Sequence, residues 1–142
     1  MIYETIVTTQ NQQADSHIAP MGIHVTNDDL IVMPFRPSST LNNFLETGVG
    51  VINYCDDVRV FAGCLTGRKE WPLVSAQHIQ GKVLACALAH AEIELVRIEE
   101  DNTRPKLFCK TVYANNHAPF QGYNRAQYSV LEAAILISRL GM

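Results

Sequence analysis

The chain has 142 residues, 47% hydrophobic and 18% charged, which fits one globular domain and excludes a disordered composition. Its net charge of −3, with basic residues scattered apart from the pair Arg68-Lys69, excludes a nucleic-acid surface. No apolar run is long enough to span a membrane and no signal-peptide pattern precedes Glu4, while four separated cysteines without a CxxC pair point to reduced thiols in the cytoplasm.

Residues 2–9 are β-branched and partly alternating, which favours a strand. A polar turn at 10–15 leads to a second strand at 16–25, so the two should form a hairpin. Pro20 within that strand calls for an edge position, a bulge or a break. Asn27-Asp28-Asp29 marks the next turn, and residues 30–35 form a third strand that Pro37 stops. Leu41, Phe44 and Leu45 then fall at helical spacing, with Ser39 or Thr40 as cap and Gly48 as the stop. Residues 49–54 read as a buried strand, 56–63 are ambiguous and 71–81 irregular. Residues 82–99 read mostly as strand, paired with 105–114 across a turn at 101–104. From Asn124 the pattern is helical, with Asn124 as N-cap and Gly141 as stop. This helix is apolar nearly all round, needs cover on two sides, and so predicts a subunit interface.

The densest chemistry lies at 36–40, Arg-Pro-Ser-Ser-Thr. An arginine fork, the hydroxyls of Ser38, Ser39 and Thr40, and the free N–H groups of a helix start together suit a terminal phosphate. The same residues also suit a polar turn and helix cap. His17 is open to two readings, a proton shuttle or a strand histidine bonded to a carbonyl. Cys86 and His90, with His24, His78 and His117 elsewhere, lack the pairing that anchors zinc, so no metal is expected. Asp56-Asp57 suits a turn or helix cap better than acid–base work. Gly48-Val-Gly50 lacks the rest of a dinucleotide fingerprint. Trp71 reads equally as core or as a lid. No Ser-His-Asp or Cys-His nucleophile signature is present.

Taken together, Thr-Ile-Val-Thr-Thr at 5–9, His-Ile-Ala-Pro-Met-Gly at 17–22, Pro-Phe-Arg-Pro-Ser-Ser-Thr at 34–40 and Val-Ile-Asn-Tyr-Cys-Asp-Asp at 51–57 resemble the FMN-binding split-barrel proteins. Gly-Tyr-Asn-Arg-Ala-Gln at 122–127 and the helix after it resemble a branch found in methanogenic archaea and methylotrophic bacteria. The resemblance implies a mainly β fold, a single split-barrel domain over 1–142 whose C-terminal helix occupies 123–141. It also implies a cytoplasmic homodimer with FMN at the subunit interface and an oxidoreductase-type function. A non-catalytic flavin carrier and a structural dimeric barrel are the alternatives. By matching position, Arg36, Ser38, Ser39 and Thr40 hold the FMN phosphate, with Asn43 beside them. Pro20, Met21, Gly22 and Ile23 pass beside the isoalloxazine, Asn53 bonds the flavin edge or ribityl chain, and Asn124 and Arg125 of the partner subunit complete the pocket. The branch's distribution associates it with pterin-dependent one-carbon metabolism. Its members usually continue beyond the apolar helix, whereas this sequence ends at Met142.

Overall fold

Side-chain alternation in the first strand sets the architecture. In β1 (Ile2–Gln10) Val7 enters one apolar cluster and Ile6 another, and both are fully buried. The computed structural model, which describes residues 1–27, 29–68 and 70–140, shows why both faces are covered. β1 pairs with β2 (Ser16–Val25) along its whole length and with β4 (Val49–Tyr54) through Ile6, Val7 and Thr8. With β3 (Leu30–Val32), β7 (Ala89–Glu99) and β8 (Lys106–Asn116) they close an antiparallel barrel in the order β1-β2-β3-β8-β7-β4. Inside it, Val7, Ile23, Val32, Ile52, Ile93 and Leu107 form the main core.

Two helices occupy opposite places on this frame. α1 (Ser39–Thr47) drops Leu41 and Phe44 into the barrel core, and it ends at Gly48, whose φ of 72° suits glycine and whose N–H reaches the Phe44 carbonyl at 2.8 Å. α2 (Val58–Leu65) lies outside, where Val60 and Phe61 join Ile6, Ile18 and Leu84 in the second cluster. A two-stranded sheet, β5 (Leu73–Ser75) and β6 (Lys82–Leu84), covers the same outer face. Asn53 fastens it: its Nδ2 donates to the Ile6 carbonyl (2.9 Å) and Thr8 Oγ1 (3.2 Å), while its Oδ1 accepts from the Leu84 N–H (2.8 Å). α3 (Arg125–Leu140) packs on α2, with Leu131 reaching the second cluster.

The mainly β class and the β1–β2 hairpin match the expectation, and β2 keeps the bounds read from the sequence. Pro20 stays in unbroken register opposite Ile6. β3 pairs only with Ile23, His24 and Val25, so the missing N–H at Pro20 interrupts no second ladder. Three readings need correction. β3 ends at Val32 rather than at residue 35, because the chain then leaves the sheet and Arg104 takes the Met33 carbonyl. The supposed long strand at 82–99 breaks at 85–88, where Ala87 N–H bonds Leu84 O at 3.0 Å and Leu88 N–H bonds Tyr54 O at 2.8 Å. The irregular stretch at 71–81 contains β5. The ambiguous stretch at 56–63 is mostly α2, whose N-cap is Asp57. Asp28 of the third turn, Lys69 of the basic pair and Gly141 as helix stop lie outside the described residues.

Candidate functional site

The segment from Met33 to the start of α1 is held by a distant turn. The Asp101 carboxylate accepts the N–H groups of Thr103 (2.9 Å) and Arg104 (2.7 Å), which shapes the β7–β8 connection. Those bonds hold the Asp101 carboxyl below the usual carboxylate range. The same turn accepts the Arg36 N–H on Thr103 O at 2.8 Å, and Arg104 donates to Met33 O at 3.1 and 2.9 Å while lying over the Phe35 ring. Arg36 is thereby fixed by its backbone, with its guanidinium half-exposed and 3.0 Å from the Glu100 carboxylate.

Ser38, not Ser39 or Thr40, is the N-cap of α1: its hydroxyl accepts the Leu41 N–H at 3.1 Å. The N–H groups at the first two helical positions, Ser39 and Thr40, have no acceptor within the helix and stand at its positive end. Ser39 is exposed and Ser38 half-buried, whereas Thr40 and Asn43 are enclosed. Asn43 donates to Thr9 Oγ1 at 3.0 Å, which ties α1 to β1. Arg36, Ser38 and Ser39 thus make an outward-facing donor set, with Thr40 and Asn43 as its inner floor.

A groove of about 690 Å³ continues from this segment, with Met33, Phe35 and Arg104 beside Pro20, Met21 and Gly22 on one wall and the second half of α3 on the other. At Gly22 an added Cβ would meet Ile2 Cγ2 at 3.2 Å, so the wall is tight where a side chain is missing. Ile23 faces the other way, into the core. Asn53 differs from its expected role. It is completely buried, and its amide is fully engaged with β1 and β6, so it has no polar atom left for a ligand. Asn124 caps α3, accepting the Gln127 N–H at 3.1 Å, and Arg125 follows it. Both line surface at the opposite end of α3 from the groove. His17 lies opposite Thr9, about 17 Å along β2 from Gly22 at the usual strand rise.

A second polar cluster sits in the barrel wall, and of its members only the histidines were noticed in the sequence. Ala91 and Ile93 of β7 are core residues, so alternation turns His90 and Glu92 to the outer face. Glu92 accepts the N–H groups of His78 (2.6 Å) and Ile79 (3.0 Å) on Oε1 and of Gln77 (2.9 Å) on Oε2, and His90 Nε2 lies 2.8 Å from that same Oε2. His90 Nδ1 is 2.6 Å from His117 Nε2. Burial alone raises the Glu92 carboxyl; the Gln77 N–H, the His90 ring and the other two N–H groups outweigh it and hold it below its ordinary value. The signal available in the sequence was the His-x-Glu spacing, which puts both side chains on one face of a strand. Cys86 does not join His90; its Sγ lies 3.8 Å from that of Cys55, whose thiol is pushed up to about 12 chiefly by burial.

A family model described as the N-terminal domain of "Protein of unknown function (DUF447)" matches residues 3–118. No curated protein matches the chain. Among solved structures, an FMN-bound protein of Methanosarcina mazei from the same family superposes with a TM-score of 0.79 at 23% identity, covering 98% of this chain and 77% of that one. The 2-nitrobenzoate 2-nitroreductase of Pseudomonas fluorescens gives 0.70 at 18% identity, over 80% of this chain and 64% of the other. A flavoredoxin from Methanosarcina acetivorans gives 0.69 at 13% identity, over 82% and 69%. These likenesses establish the split-barrel fold.

Proposed function

The chain belongs to the family described as "Protein of unknown function (DUF447) N-terminal domain", and from that premise we propose that it is an FMN-binding flavoprotein of oxidoreductase type. The observation that carries this reading is that Met33 and Phe35, which line the Gly22 groove, lead directly along the chain to the donor set at the start of α1. A flavin needs both, a phosphate anchor and a flat wall within reach of it. Arg36 and Ser39, with the α1 N-terminus, are the residues to hold the phosphate, and Ser38 and Asn43 keep the helix start in place. Met21 and Gly22 form the wall beside the ring. Bound FMN would supply the redox chemistry, and the chain would supply binding, orientation and exclusion of water.

The proposal includes a cytoplasmic homodimer. Leu136 (63% exposed), Ile137 (58%) and Leu140 (85%) leave one side of α3 uncovered, which is what a second subunit would bury. Asn124 and Arg125 stand near the other end of α3, where they could meet the partner's flavin. No helix among the described residues is long and apolar enough to cross a membrane.

Replacing Arg36 with alanine should weaken FMN binding by about 1.5–3 kcal/mol, roughly 10- to 150-fold, measured by quenching of flavin fluorescence. One observation favours a second reading. The Arg36–Glu100 pair at 3.0 Å lets Arg36 act as a latch between the two segments of a structural barrel. In that case the substitution leaves FMN affinity unchanged and lowers stability by no more than about 1 kcal/mol, as for exposed pairs generally. Oxidation of NADH or NADPH by the FMN-loaded protein with an acceptor separates an enzyme from a carrier, and pterins are the substrates to try first.

A further inference from the structure

Glu92, His90 and His117 form one hydrogen-bonded line from the buried face of the barrel wall to solvent, and its polarity is fixed from the inner end. Glu92 accepts three backbone N–H groups, so it presents an oxygen, not a proton, to His90. His90 Nε2 therefore carries a hydrogen, and in the neutral ring its Nδ1 is an acceptor. His117 must then donate from Nε2, which leaves its Nδ1 as the outer end of the line. The two rings are parallel within 2° with centroids 4.8 Å apart, a separation that the 2.6 Å nitrogen contact plus two ring radii fills, so they meet edge to edge.

This line does more than hold a loop. The three N–H groups already bind residues 77–79 to β7, and His90 completes the carboxylate. His117 adds nothing to that latch, yet it is held against it and remains exposed beside a cavity of about 760 Å³. A proton added at His117 Nδ1 breaks none of the bonds behind it, and the buried Glu92 carboxylate balances its charge.

We propose that this cavity, which shares Glu4 with the Gly22 groove, is a second ligand site, in which His117 exchanges a proton with the ligand while His90 and Glu92 position it. The walls define the ligand. Tyr3, Tyr54, Leu88 and Phe120 offer flat and apolar surface, beside the carboxylates of Glu4 and Asp56. The fitting class is an uncharged planar aromatic with an acidic hydroxyl or ring N–H. The ligand's proton passes to His117 Nδ1, the ligand anion faces the new imidazolium, and the proton returns on release. No oxidant or reductant takes part.

The test uses the full chain and 7-hydroxycoumarin, whose neutral and ionised forms differ in absorbance. Bound to the wild-type protein, its apparent pKa should fall by about one unit, the size of shift an adjacent imidazolium produces. His117→Gln and His117→Asn should keep probe affinity within about threefold, with an unchanged near-ultraviolet dichroism spectrum, but lose the shift. Glu92→Gln should reduce the shift, and Phe120→Ala should weaken binding. Absence of probe binding to the wild type, an unshifted bound probe, or a shift that survives in both His117 variants would overturn the assignment. Because FMN takes no part in the assay, a failed phosphate site leaves this result intact.

Discussion

Glu92→Ala should lower the free energy of unfolding by about 3–5 kcal/mol, the range for removing one member of a buried pair. The loss has two parts. Three N–H groups of residues 77–79 and the His90 ring lose their acceptor, each worth roughly 1–3 kcal/mol where water cannot replace it. The loop they hold then separates from β7. Urea unfolding at neutral pH measures the loss, and a change below about 1 kcal/mol would show that the network contributes little. The wild type should also lose stability in acid. The folded carboxyl titrates below its unfolded value, so its contribution is complete above the unfolded range near pH 4.3, roughly, and disappears as pH falls through the folded value. Glu92→Gln cannot titrate and should show a flatter acid profile. Equal acid slopes in the two proteins would mean that this carboxylate is not the group responsible.

Phe44→Ala should cost about 3–5 kcal/mol, because the ring is fully buried where α1 plugs the barrel. The same ring explains Gly50. A Cβ there would lie 2.6 Å from Phe44 Cζ and 2.9 Å from Cε1, closer than real contacts allow, and the ring has core on its other side. Gly50→Ala should therefore cost about 1–3 kcal/mol by overpacking. The double variant is the sharper measurement. With the ring gone, the added methyl has room, so the combined loss should fall short of the sum by at least about 0.5 kcal/mol. Strict additivity would mean that the ring moves aside for the methyl at little cost. Since α1 carries Ser38 and Ser39 at its start, Phe44→Ala should also loosen the proposed phosphate site.

The elements legible in the sequence are those whose signals are local. Alternation gave β1, Gly48 marked the end of α1 although its cap was read one or two residues late, and Asn124 marked the start of α3. The break at 85–88 was hidden, because Ala-Cys-Ala-Leu has no turn chemistry; the turn exists through the long-range bond from Leu88 to Tyr54. Asn53 and Glu92 were misread or overlooked for the same reason. Each is defined by partners far along the chain, Leu84 and Ile6 for one, residues 77–79 for the other. The donor set at 36–40 was visible as residue types, but its anchoring by Asp101, Thr103 and Arg104 was not. The resemblance to split-barrel proteins supplied the fold that periodicity alone left open.

The turn that holds Arg36 also bears on the order of folding. The β1–β2 hairpin needs only neighbours, whereas Arg36 meets Glu100 across 64 residues and Arg104 meets Met33 across 71. Joining β3 to β8 is the seam that makes the barrel a closed ring, and contacts of such separation form late because chain entropy opposes them. The proposed phosphate anchor is built at that seam. Refolding followed by flavin quenching should thus lag behind the recovery of strand dichroism, and equal rates would show that the anchor forms before the ring closes. An unfinished barrel would be blind to the proposed flavin, and binding would signal that the last strands have met.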